Sequence, residues 1–171
     1  KIYNRIKGEK EKITVTADHI DTIRKDKGLL TRYLEECFAK EYYKTPQSPE
    51  PLTGYDYLTG EIILKLIDKT LEKDRALTPF SYVASELPIH KNISIGNNRS
   101  IQLKGFIDRV DEHNGLIRIV DYKTGRERLD FKSVTELFDP SEKDRKKAIM
   151  QVLFYCKLYK LDKQPKNFPS A

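Results

Sequence analysis

Two aspartates and a lysine are the side chains best equipped for chemistry: Asp108 in GFIDRVD, and Asp121 and Lys123 in DYKTG. Asn114-Gly115 lies between the two runs and is the dipeptide favoured in the type I′ turn of a two-residue hairpin. That turn fixes a register in which His113 faces Leu116, Val110 faces Ile119 and Asp108 faces Asp121. Opposed Cβ atoms on antiparallel strands lie roughly 4.5–5.5 Å apart, so two carboxylates there repel unless a cation offsets them. Alternation along the strand puts Lys123 on the face of Asp121, with Phe106 as its cross-strand neighbour, and turns Tyr122 away. Carboxylates are hard oxygen ligands that suit Mg²⁺ or Mn²⁺, ions that activate a bound water and neutralise an attacked phosphate. A lysine beside them can orient that water, help deprotonate it, or stabilise charge developing at phosphorus. The three residues therefore suit phosphodiester hydrolysis. Singly, Asp121 and Lys123 would read as a surface ion pair, but two carboxylates facing each other inside the apolar runs IQLKGFID and LIRIVD are costly to bury unpaired.

The elements that must position them follow from periodicity. Thr16 suits the cap of a short helix through Lys25, and from Gly28 the residues Leu30, Tyr33, Leu34, Cys37, Phe38 and Tyr42 recur at helical spacing. Lys44 to Thr53 holds three prolines and reads as a loop. From Tyr55 to about Arg75, Ile62, Ile63, Leu66, Ile67, Thr70 and Leu71 form the apolar stripe of a long amphipathic helix. Residues 80 to 90, 92 to 95 and 100 to 110 change to period two, with a turn at Gly96-Asn97-Asn98. Ser133 and Glu136 form a capping-box pattern before Leu137 and Phe138, stopped by Asp139-Pro140, and a last helix runs from about Asp144 to Tyr159. Helices, antiparallel strands, then helices make a mixed α/β or α+β domain.

At 171 residues the chain holds one domain with a real core. No apolar run approaches the roughly 18 residues of a membrane span, which excludes a membrane protein. A formal charge of +6 favours a polyanionic partner. Cys37 and Cys156 show no CxxC or Cys/His spacing, so no disulfide framework or zinc site is implied and a reducing cytoplasm fits. A start at Lys1 without Met and a polar end, Lys163 to Ala171, suggest a segment of a larger protein.

Taken in order, G-x-x-D-R-x-D (Gly105, Asp108, Arg109, Asp111), D-Y-K-T-G (Asp121 to Gly125) and Q-x-x-x-Y (Gln151, Tyr155) resemble the PD-(D/E)XK nuclease superfamily, and within it the RecB/AddB-like nuclease domains of helicase-nuclease repair proteins. The specific match covers Ser81 to Tyr159. The resemblance implies a restriction-endonuclease-like core, with a central mixed sheet and an antiparallel hairpin flanked by helices. Residues 1–79 would be its helical N-terminal portion, 80–160 the nuclease core and 161–171 a polar tail. It implies Asp108, Asp121 and the Tyr122 carbonyl as ligands of Mg²⁺ or Mn²⁺, Lys123 as the catalytic lysine, and Gln151 and Tyr155 as helix residues lining the site. Glu86, in ASELPIH, would orient the lysine or add a metal contact. Many relatives carry a metal-binding His or acid on an early helix; here Leu64 stands where a GxxxH pattern counted from Gly60 would put it, and the missing residue would lie upstream of Lys1 or be lost. Two cysteines exclude a four-cysteine iron–sulfur cluster.

Arg126, Arg128, Lys146 and Lys147 are candidate contacts to a phosphate backbone, and no base-reading motif accompanies them. The reading is a metal-dependent DNA exonuclease domain of a bacterial AddB/RecB-like double-strand-break repair protein, with a helicase as partner. The alternatives are a catalytically incomplete DNA-binding or docking module, and a plain protein-interaction domain.

Overall fold

A computed structural model describes residues 2–97, 99–127, 129–139 and 146–163. Backbone contacts divide it into two units, Lys1–Ile13 with Tyr82–Ala171, and Thr14–Ser81. The elements in order are α1 (Ile2–Lys7), β1 (Ile13–Val15), α2 (Ala17–Lys25), α3 (Lys27–Cys37), a π-turn (Phe38–Tyr42), α4 (Gly54–Ala76), β2 (Phe80–Ser94), β3 (Ser100–His113), β4 (Leu116–Val120), a 3₁₀ turn (Thr135–Phe138) and α5 (Lys147–Lys163). The strands form one sheet in the order β1-β2-β3-β4, so each neighbours its successor in sequence. No helix among the described residues is long and apolar enough to cross a membrane.

In the unit Thr14–Ser81, the cap expected at Thr16 is present and reciprocal. Its hydroxyl accepts from the His19 N–H at 3.4 Å, and the His19 Nδ1 accepts from the Thr16 N–H at 3.3 Å. Histidine thus fills the place that Glu or Gln takes in the usual capping box. Asp26 then caps α3 through Leu29 N–H at 2.9 Å. The helical pattern through Tyr42 continues past Cys37 as the π-turn. Two forked ion pairs, Arg24 to Asp68 and Arg75 to Asp21, tie α2 to α4, each with its shorter contact at 2.7 Å.

On α4 the buried line differs from the expected stripe. Gly60, Leu71 and Asp74 are buried and Ile63, Leu64 and Ile67 half-buried, whereas Ile62 is 60% and Leu66 41% exposed. The helix turns the ridge 60-63-67-71-74 inward, and residues one place before that ridge are rotated about 100° away from it. Gly60 leaves room on this ridge, since a Cβ there would lie 3.0 Å from a Leu34 methyl.

In the other unit, Ile89 of β2, Ile107 and Val110 of β3, and Tyr155, Leu158 and Tyr159 of α5 form the core, with Val83, Leu87, Leu103, Ile119 and Phe154 against it. On α5 the inward line is Ala148, Tyr155, Leu158 and Tyr159, while the apolar Leu153 and Cys156 are exposed. The first residues form α1, held on β2 by Asn4 to Ser85 at 3.0 Å, by Lys7 Nζ to the Val83 carbonyl at 2.6 Å and by the Tyr3 ring on Tyr82. The hairpin turn is as expected: Asn114 and Gly115 have φ of 51° and 76°, the signs a type I′ turn requires.

Replacing Ile107, which is fully buried, by Ala is expected to lower stability by about 2–4 kcal/mol, measured by denaturant unfolding. The Arg75 and Arg24 hydrogen bonds hold the Asp21 and Asp68 carboxyls below their ordinary pKa. Such depressed groups bind fewer protons folded than unfolded, so their stabilisation is present at neutral pH and lost as pH falls through about 4 and below. The double variant Asp21→Asn, Asp68→Asn is expected to have a shallower loss of thermal midpoint between pH 5 and 3 than wild type.

Candidate active site

The β3–β4 ladder runs from His113↔Leu116 to Arg109↔Val120, the register expected from the turn, and stops there. Asp121, Tyr122 and Lys123 therefore follow β4 instead of lying on it, and the Asp108–Asp121 pair falls one step beyond the backbone pairing. A side chain takes over at that step: Asp108 Oδ2 accepts the Tyr122 N–H at 2.8 Å. Phe106, expected across from Lys123, is 61% exposed.

The Asp121 side chain is only 4% exposed, and its Oδ2 lies 2.6 Å from Lys123 Nζ. The same ammonium donates to Gln151 Oε1 at 3.0 Å, and Gln151 Nε2 donates to the Tyr155 hydroxyl at 3.1 Å. The structure thus links Asp121, Lys123, Gln151 and Tyr155 into one hydrogen-bonded chain. Asp121 beside Lys123, chiefly through their hydrogen bond and then with the charges of Asp108 and Glu127, pushes the lysine above its ordinary pKa despite opposing desolvation. The charged form of Lys123 is thereby favoured, as a donor and counter-charge within this hydrogen-bonded chain.

Gly105 gains a physical reason. A Cβ there would lie 2.7 Å from Tyr155 Cε1 and 3.1 Å from its hydroxyl, so the ring seats directly on the bare backbone of β3. The sequence supplied this glycine only as a motif letter; nothing in its local pattern points to a helix residue fifty positions away.

A second cluster was not assigned roles from sequence. Arg109 is 2% exposed and Asp111 fully buried. Asp111 receives Arg118 Nε and Nη2 at 2.7 and 2.9 Å and lies 2.7 Å from Arg109 Nη2. The Arg109 guanidinium also sits 4.9 Å from the centre of the Tyr3 ring and donates from Nη1 to the Tyr122 hydroxyl at 3.0 Å. The hairpin register was the available signal, since it sets Arg118 opposite Asp111.

The remaining candidates are placed as follows. Glu86 is exposed at φ 51°, a left-handed conformation rare for a non-glycine residue inside a strand. It takes no part in the hydrogen bonds that join Asp108, Tyr122, Asp121, Lys123, Gln151 and Tyr155. Arg126 and Lys147 are exposed. Lys146 Nζ is held by Glu136 Oε1 at 2.6 Å, and Glu136 Oε2 also accepts the Lys132 N–H at 2.7 Å. Ser133 accepts the Glu136 N–H at 3.3 Å, half of the expected capping box, though the element it starts is one 3₁₀ turn. Arg128, with Lys143 and Arg145, lies outside the described residues.

Among the described residues no three His, Cys, Asp or Glu side chains converge on a ready-made metal cage. The carboxylates of Asp108 on β3 and Asp121 just past β4 offer hard oxygen atoms there instead. Mg²⁺ and Mn²⁺ suit such donors, because they retain waters and use one or two carboxylates together with substrate phosphate.

Gly105→Ala is expected to destabilise by about 1–3 kcal/mol through overpacking against Tyr155. Paired with Tyr155→Leu, which frees the space, the Ala should lose most of that effect in denaturant unfolding.

A model of the PD-(D/E)XK nuclease superfamily matches residues 12–170, nearly the whole chain. No curated protein and no solved structure matches it. With the α/β fold, the hairpin, and the carboxylate–lysine–glutamine chain in place, the family match agrees with the geometry: the chain belongs to the PD-(D/E)XK nuclease superfamily.

Proposed function

We propose that this chain is a metal-dependent deoxyribonuclease domain of the AddB/RecB-like kind, acting as an exonuclease beside a helicase in cytoplasmic double-strand-break repair. The observation that carries the nuclease reading is Lys123, held between Asp121 and Gln151 directly after the strand that pairs with Asp108's strand. PD-(D/E)XK nucleases generally use divalent ions, and Asp108, Asp121 and the Tyr122 carbonyl would hold Mg²⁺ or Mn²⁺ here. When bound, the ion supplies a more acidic water and neutralises phosphate charge.

The protein's own residues supply the rest. The Lys123 ammonium is oriented from both sides, by Asp121 and by Gln151, so it can hold the attacking water or meet negative charge at phosphorus. Tyr155 fixes the amide of Gln151, so that its oxygen and not its nitrogen faces the lysine. Exposed Arg126 and Lys147 are suited to backbone phosphates in a sequence-independent way. Lys146 is committed to Glu136 and shapes the segment after the site. The repair and helicase setting rests on the RecB/AddB-like form of the three motifs.

The absence of a third converging ligand among the described residues favours one other reading, a catalytically incomplete module that keeps DNA binding. Cleavage of linear DNA with Mg²⁺ or Mn²⁺ separates them. Wild type should cut, EDTA should abolish cutting, and Asp121→Ala or Lys123→Ala should each reduce the rate by about 10²-fold or more. Wild type and both variants behaving alike would sink the proposal, and salt-sensitive DNA binding without cleavage would establish the alternative.

A further inference from the structure

The residues that carry the chemistry begin one step past the last backbone pair, Arg109↔Val120, so the sheet ladder itself does not hold them. Two consecutive residues of β3 reach across to this segment from opposite faces, as strand alternation requires. Asp108 accepts from the Tyr122 backbone N–H at 2.8 Å, and Arg109 donates from Nη1 to the Tyr122 hydroxyl at 3.0 Å. Tyr122 stands between Asp121 and Lys123, so gripping it at both its backbone and its phenol fixes the direction of the two neighbouring side chains.

Arg109 is well suited to be the rigid end of such a grip. It is 2% exposed, and its guanidinium is ion-paired with Asp111 at 2.7 Å and lies 4.9 Å from the centre of the Tyr3 ring. Asp111 is fixed in turn by the fork of Arg118 on β4. The planar guanidinium presents several donors in set directions, so orientation by Asp111 also orients the Nη1–H that meets Tyr122.

We infer that Arg109 and Tyr122 form a positioning clamp that holds Asp121 and Lys123 in place from the face opposite the site. Neither side chain touches substrate in this role; both act through the backbone of residues 121 to 123. The consequence for metal affinity rests on the nuclease reading above, whereas the clamp itself is a property of the protein alone.

The test uses Tyr122→Phe, which removes one hydroxyl and keeps the ring and the carbonyl, with Arg109→Lys as the second variant. Amide hydrogen exchange without metal should show the Tyr122 amide, which Asp108 accepts, exchanging about tenfold faster in Tyr122→Phe, while those of Val110 and Ile119 keep wild-type rates. Mn²⁺ binding by calorimetry, without DNA, should weaken about tenfold, as for other residues that orient metal ligands. If both side chains belong to one clamp, the double variant should weaken binding no more than Arg109→Lys alone. Unchanged exchange at Tyr122, a uniform change at all amides, or faster local exchange with wild-type Mn²⁺ affinity would each overturn the clamp. If wild type binds Mn²⁺ no better than Asp121→Ala, the nuclease reading fails, and the exchange pattern alone decides the clamp.

Discussion

The site depends on one hydrogen bond, from the Tyr122 amide to the Asp108 carboxylate. In an antiparallel pair each backbone N–H normally finds a carbonyl across the ladder, and an amide past the last pair must find another acceptor or water. Here an ionised side chain takes that role, and charge-assisted hydrogen bonds are stronger than neutral ones. The bond ties the end of one strand to the start of an irregular segment while leaving the carboxylate its second oxygen. A regular strand would have presented Asp121 and Lys123 with fixed alternation; the irregular segment lets Lys123 turn toward α5 and reach Gln151.

Charge on the opposite face is balanced differently. Burying Asp111 next to Arg109 is expensive in isolation, because removing two ions from water can exceed their mutual attraction. The second guanidinium, Arg118, and the Tyr3 ring offset part of that expense by supplying further favourable partners. Arg118 remains partly exposed, at 26% of its side chain, so the cluster keeps one edge in water. Such an arrangement contributes geometric definition more than raw stability, in keeping with its place behind the segment 121–123. Its dependence on Tyr3 also gives α1 a purpose, since that short helix lacks the length to be stable alone.

Much of this was legible in the sequence where the signal is local. Asn114-Gly115 encodes a turn whose backbone signs only a few residues accept, and the register of the whole hairpin follows from it. Thr16 and the period-two runs are similarly local, and the Gln151–Tyr155 spacing places both on one face of α5. The features that escaped are those set by distant partners. The end of the ladder at Val120 reflects capture of Tyr122 by Asp108, which no strand propensity encodes. The exposure of Ile62 and Leu66 depends on which ridge of α4 is turned inward. The burial of Arg109 depends on Asp111, Tyr3 and Tyr122 arriving together from three parts of the chain.

The seat of Tyr155 on Gly105 has a consequence for how this sequence can change over time. The first motif contributes an absence, a missing Cβ, and the last motif contributes the ring that occupies it. The ring fits only where the Cβ is missing, so change at one position is coupled to change at the other. A descendant that gains a side chain at 105 must displace the ring at 155, and with it the phenol that orients the glutamine. Copies of the domain that lose the glycine would then show change at both positions, even where the aspartates and the lysine survive.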